Sequence, residues 1–139
     1  LARGRVAREE RGARARAREI LHEIDLGAHE DVAAGALSGG QHKLLELGRA
    51  LMAAPRALLL DEPCAGVSPA LLDVLSAVLD RLRRNGVTLL IVEHNVSFVR
   101  RHCEHLVVME RGRKLLEGEP GAVLRDRRVL DAFLEARVA

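Results

Sequence analysis

Tryptophan and tyrosine are absent from these 139 residues, and Phe98 and Phe133 are the only aromatic side chains. Any core must therefore be aliphatic, built from the leucine, valine, isoleucine and alanine within a composition that is 48% hydrophobic. Lysine is as scarce: Lys43 and Lys114 stand alone, and they follow His42 and Arg113 rather than glycine. A phosphate-binding loop of the form GxxxxGK[ST], whose lysine reaches the β and γ phosphates, is excluded in every register. Gln41 is the single glutamine. The two cysteines, Cys64 and Cys103, show no metal-like pair spacing and suit a reducing compartment. No apolar run approaches the roughly 20 residues that a membrane helix needs, and no signal peptide is visible. A large excess of one charge is lacking too. The 22 basic and 20 acidic residues leave a net +2, which makes no global case for nucleic acid. The length suits one domain.

What is present is concentrated in two short stretches. The first is Leu37-Ser38-Gly39-Gly40-Gln41. Adjacent glycines fit a place where backbone must approach a ligand closely, since no Cβ stands in the way. Ser38 and Gln41 stand at the spacing of a capping box that opens a helix. A helix opening this way presents bare N–H groups and the positive end of its dipole, which is an anion or phosphate site. The second stretch is Leu58-Leu59-Leu60-Asp61-Glu62-Pro63. It reads as a buried parallel strand that delivers Asp61 and Glu62 to its carboxyl end, where open α/β sheets bind ligands. A phosphate site with paired carboxylates points to nucleotide chemistry.

The remaining pattern gives an α/β order. An arginine-rich helix is expected from Arg5 to about Leu26, stopped near Gly27, with a loop over 28–37. Ser38 caps a helix running to about Ala54, before Pro55. Ala57 to Leu60 is strand. Ser68 with Pro69 opens a helix carrying Leu71, Leu72, Leu75, Val78, Leu79 and Leu82 at helical spacing. That helix ends near Asn85-Gly86. Val87 to Val92 is a second apolar strand, followed by a helix from Val96 to His102. Leu106–Met109 and Lys114–Leu116 flank a hairpin turn, and short helices near Gly121–Arg125 and Arg128–Arg137 close the chain. A strand, a helical crossover and a strand imply parallel, right-handed pairing, so that Asp61 and His94 leave one sheet edge.

These residues resemble the ATP-binding subunits of ABC transporters. LSGGQ is that family's signature, and LLLDEP looks like its Walker B strand with the catalytic glutamate. Ala65-Gly66-Val67-Ser68-Pro69 looks like the D-loop, and His94 in Ile91-Val92-Glu93-His94-Asn95 like the switch histidine. The stretches Lys43–Met52 and Gly66–Pro69, with the tail from Glu117-Gly118 through Arg128-Val129-Leu130 to Phe133-Leu134, look most like branched-chain amino-acid importers. The resemblance covers about Arg18 to the C-terminus.

The resemblance implies an α/β fold: the C-terminal part of a P-loop-NTPase-type parallel sheet with flanking helices, plus part of the helical signature subdomain. Residues 1–54 would form that helical portion, and 55–139 the Walker B, D-loop and switch portion of the core. It implies an ATPase with ATP and Mg²⁺ as ligands. Asp61 would hold Mg²⁺ through water, Glu62 would act as general base, and His94 would sense the γ-phosphate. Ser38, Gly39, Gly40 and Gln41 would act in trans on ATP held by a second ATPase subunit, packed head to tail, with Ser68 at the intersubunit contact. The D-loop commonly carries Asp where Ser68 stands, which weakens that contact. Transmembrane permease subunits are the implied partners, nucleic acid is not, and the implied location is peripheral, on the cytoplasmic face of the inner or plasma membrane.

Walker A, a Q-loop glutamine and the adenine-stacking tyrosine are missing, and the chain starts at Leu1 in helix-like composition. The expectation is the C-terminal part of a longer ATPase. Branched-chain amino acids are the first cargo choice; lipopolysaccharide export and urea or other amides are alternatives. A non-catalytic half that lends its signature to a complete partner is the reading from another class. Two weaker features have bland readings. The seven arginines between Arg3 and Arg18, interrupted by Glu9 and Glu10, read as a solvated helix face. His102, Cys103 and His105 lack a second ligand group with zinc spacing.

Overall fold

The computed structural model describes residues 2–135 and divides into two compact units, Leu1–Val92 and Glu93–Ala139. In the first unit the arginine-rich helix α1 spans Ala2–Glu23. Its charges are largely solvated, with Arg5 paired to Glu9 at 3.8 Å and Arg16 to Glu19 at 3.3 Å. Only its end is apolar enough to enter the core, where Ile20 and Ile24 are buried. Asp25, at φ 58°, turns the chain out of the helix earlier than the periodicity predicts. The stretch read as loop contains two 3-10 turns, Gly27–His29 and Ala34–Ala36.

Helix α2, Gly39–Leu51, begins where the sequence places it and ends three residues early. Ala54, the residue before Pro55, takes φ 46°, a left-handed conformation in which the helix cannot continue. Helices α1 and α2 cross where Gly48 faces Ile20 and Ile24; a Cβ on Gly48 would lie 2.7 Å from Ile24 Cδ1 and 3.1 Å from Ile20 Cγ2.

Strand β1 is Ala57–Asp61, helix α3 is Pro69–Arg84 and strand β2 is Thr88–Val92. Ser68 caps α3, with Pro69 in its first turn, where the missing N–H costs nothing. Leu75, Val78, Leu79 and Leu82 are buried along one stripe of that helix, each contributing about 1.5–3 kcal/mol when fully covered. Arg81 reaches Glu23 of α1 at 2.7 Å, tying the crossover to the first helix. The strands pair in parallel with Leu58 opposite Leu89, Leu60 opposite Ile91 and Asp61 opposite Val92.

One expectation changes here. The apolar run predicts a buried strand, but successive side chains alternate, and one face of the pair is open. Leu58 is 7% exposed, whereas Leu59 is 73% exposed and Leu90 and Val92 are each 59% exposed.

The second unit holds helix α4, Val96–His102, and the antiparallel strands β3, Leu106–Glu110, and β4, Arg113–Gly118. The two-residue turn Arg111-Gly112 has φ 47° and 76°, the doubly positive pattern that matches the twist of a tight hairpin. Helices α5, Pro120–Val123, and α6, Arg127–Glu135, follow; the last two residues of the helix expected to reach Arg137 lie outside the described residues. Glu119 caps α5 by accepting from Gly121 N and Ala122 N, each at 2.8 Å. Those backbone donors hold its carboxyl below the usual range, so the cap is intact above about pH 4.5 and is lost as pH falls through the lowered value. Phe98, Val99, Val123 and Val129 form this unit's core, with His102 buried against Phe98, ring centroids 4.5 Å apart.

The α1–α2 crossing yields a test. Gly48→Ala raises helix propensity but overpacks two fully buried isoleucines. A net loss of about 1–2 kcal/mol is expected, measured as a lower denaturation midpoint; a gain would show that the crossing relaxes freely.

Candidate functional site

The start of α2 is built as a complete capping box. Ser38 is extended, at φ −67° and ψ 161°; its Oγ accepts from Gln41 N at 3.3 Å, while Gln41 Oε1 accepts from Ser38 N at 2.9 Å. The N–H groups of Gly39 and Gly40 lie in the first turn, where no intrahelical carbonyl is available to them. The two glycines then differ. A Cβ on Gly40 would sit 2.8 Å from Leu71 Cδ1, 3.6 Å from Val67 Cα and 3.7 Å from Gly66 O, so this glycine lets α2 pack on the loop that leads into α3. A Cβ on Gly39 would meet nothing within 4 Å. Packing inside the chain explains one glycine and leaves the other facing open space.

The carboxylates stand at the end of β1. Asp61 is the last strand residue and is exposed. Glu62 follows in the left-handed region at φ 45°, a conformation that costs an L residue with a Cβ about 1–2 kcal/mol. Two backbone bonds hold it there: Glu62 N donates to Val92 O at 2.9 Å, and Glu62 O accepts from Ala65 N at 3.1 Å. An exposed carboxylate in a conformation that suits glycine better is a strained residue of the kind that collects at functional sites. Gly66 follows at φ 71°, and Ser68 Oγ accepts from Leu71 N at 3.5 Å. The 65–69 stretch is thus a compact turn, with Gly40 of α2 packed beside Gly66 and Val67.

A cleft of about 200 Å³ separates α2 from β1, with Lys43, Glu46, Leu58 and Asp61 among its walls. It falls below the roughly 300–1,000 Å³ of small-molecule pockets. Mg²⁺ ordinarily takes one or two carboxylates together with waters and phosphate oxygens. The exposed Asp61 fits that set as its carboxylate. Among the described residues no group of three or more His, Cys, Asp or Glu could hold a metal without such help.

His94 belongs to the second unit and is exposed. The backbone around it is fixed: the Glu93 carboxylate accepts from His94 N at 3.2 Å and Asn95 N at 3.1 Å, and Asn95 Oδ1 accepts from Phe98 N at 3.1 Å to cap α4. Of the cysteines, Cys103 has its thiol pushed up by burial, away from nucleophilic behaviour, and Cys64 is half-buried.

A family model described as "ABC transporter" matches residues 2–65, which includes the signature and both carboxylates. The "Probable branched-chain amino acid transport ATP-binding protein LivG" of Methanocaldococcus jannaschii is 42% identical over 121 residues, 84% of this chain and 47% of that protein. The chain belongs to the ABC transporter ATPase family. The high-affinity branched-chain amino acid transport ATP-binding protein BraF of Pseudomonas aeruginosa is 38% identical over 128 residues, 91% of this chain and 50% of that one. A solved ATP-binding cassette of an ABC transporter in its ADP conformation matches with TM-score 0.76 at 41% identity, covering 86% of this chain and 49% of that one. The chain therefore spans about half the length of the relatives it matches. As in other ABC cassettes of this family, the fold is α/β with a parallel strand pair. Among the described residues no helix is long and apolar enough to cross a membrane.

Sequence reasoning did not distinguish the two glycines. Gly39→Ala is expected to leave the stability of this ABC chain unchanged or to raise it by up to ~1 kcal/mol, because a methyl there meets nothing. A clear fall in the unfolding midpoint would show that Gly39 is required by the fold itself.

Proposed function

We propose that these residues serve the ATPase subunit of an ABC importer for branched-chain amino acids, binding and hydrolysing ATP on the cytoplasmic face of the membrane. The observation that carries the reading is the capped start of α2. Its bare N–H groups and the open space over Gly39 suit a phosphate that arrives from outside the chain. In this reading Ser38, Gly39, Gly40 and Gln41 cover the γ-phosphate of ATP held by a second, head-to-tail subunit, and Ser68 lies at that contact. The helical portion, residues 1–54, carries the signature, and residues 55–139 carry the hydrolytic groups. Permease subunits complete the transporter.

The chain also contributes an acid pair at the end of β1 and, in the second unit, a histidine. Asp61 is the residue that would hold Mg²⁺, which when bound would supply charge neutralisation at the phosphates. Glu62, whose carboxylate is exposed beside it in sequence, takes the proton from the attacking water. His94 contacts the γ-phosphate. Without GxxxxGK[ST], the phosphates must be cradled by residues other than these. The names of the relatives support the cargo, since LivG and BraF are both named for branched-chain amino acid transport. A specific observation favours a second cargo: the lipopolysaccharide export system ATP-binding protein LptB of Escherichia coli is 34% identical over 119 residues.

Three measurements test the reading. In a complete cassette containing these residues, Glu62→Gln should keep ATP binding and accumulate ATP-bound dimers while turnover falls at least about 100-fold. Hydrolysis near the unaltered rate would remove Glu62 from the role of base. Ser38→Arg in the same cassette should leave nucleotide affinity of the monomer intact and abolish ATP-driven dimerisation; lost monomer affinity would place the signature on its own subunit's nucleotide. The 139-residue chain alone should bind Mg-ATP only weakly in calorimetric titration, and micromolar affinity would reveal a nucleotide site elsewhere in it.

A further inference from the structure

The amide of Gln41 is committed on both sides. Its Oε1 accepts from Ser38 N at 2.9 Å, so turning the amide over would break the capping box. The amino group therefore faces His29, with Gln41 Nε2 at 3.2 Å from His29 Nε2. An amide –NH₂ only donates, so His29 Nε2 has to accept. That assigns the ring a neutral state with its proton on Nδ1, the minor tautomer of a free imidazole. His29 Nδ1 is itself buried and has no hydrogen-bond partner among the described residues, an uncommon condition for a buried donor. The ring is carried by the Gly27–His29 turn, where His29 N donates to Leu26 O at 2.9 Å and Leu26 is itself buried. A histidine held in its minor tautomer, with a donor left unsatisfied, is aimed at one acceptor task.

We propose that His29 is a positioning residue for the signature helix. By accepting from Gln41 Nε2 it fixes the amide in the orientation that caps Ser38, and so holds the Ser38-Gly39-Gly40 backbone in the conformation it offers to a phosphate. The functional consequence rests on the phosphate-facing reading above; the tautomer and the cap do not, and no nucleotide enters the test.

On the ¹⁵N-labelled chain, long-range ¹H–¹⁵N correlations report the His29 tautomer, and amide exchange reports the Ser38 N–H. The expected tautomer is Nδ1–H. His29→Gln, whose side-chain carbonyl can also accept, should keep Ser38 exchange near its original rate. His29→Leu, similar in size without an acceptor, should accelerate it about tenfold, the effect of one lost hydrogen bond, while Ile20 and Ile24 methyl shifts stay in place. An Nε2–H tautomer, or equal Ser38 exchange in the Leu and Gln variants, overturns the proposal. Should the Leu variant not fold, the tautomer of the unaltered chain decides the matter alone.

Discussion

Parallel strands cannot be joined by a tight turn, so pairing Ala57–Asp61 with Thr88–Val92 requires a crossover long enough to return the chain to the same end of the sheet. Helix α3 is that crossover, and its buried stripe of Leu75, Val78, Leu79 and Leu82 gives the strand pair one covered face. The register that results sets Asp61 opposite Val92. The Val92 carbonyl then takes the Glu62 N–H and helps hold the glutamate in its left-handed conformation. The placement of both carboxylates is thus a consequence of strand pairing, and a slipped register would move them.

The signature helix illustrates how one short motif divides its labour. Ser38 and Gln41 satisfy each other's backbone donors, which fixes where α2 begins. Gly40 allows that beginning to press against Leu71 and the turn at Gly66-Val67, while Gly39 faces open space. The packing glycine and the presenting glycine are neighbours because successive residues at a helix start point in directions about 100° apart. Here one is turned to the protein and the other outward.

The parallel pair also shows what a two-stranded sheet cannot do by itself. Helices cover the Leu58 and Leu60 side, and the alternation of the strand sends Leu59, Leu90 and Val92 to the other, where they remain more than half exposed. Each forgoes most of the ~1.5–3 kcal/mol that full burial contributes. An aliphatic core without tryptophan or tyrosine has little to offset that loss, and the unit's buried contacts lie along the α3 stripe and at the α1–α2 crossing at Gly48.

Local chemistry made much of this legible in the linear chain. The Ser38–Gln41 box, the Ser68-Pro69 start of α3, the helix from Val96 to His102 and the parallel partnership of the two apolar runs all depend on residues close in sequence or on a crossover length, and all are present. Helix ends were less legible, since Asp25 and Ala54 in left-handed conformations stop α1 and α2 before their periodicity does. Tertiary structure alone decided the rest. Glu62 takes φ 45° because a carbonyl thirty residues onward accepts its N–H; Gly39 and Gly40 part company because only one meets Leu71; and His29 meets Gln41 because a 3-10 turn delivers it there. Capping and periodicity are written in neighbouring residues, whereas a backbone strain, an open glycine and a tautomer are set by atoms that only folding brings within reach.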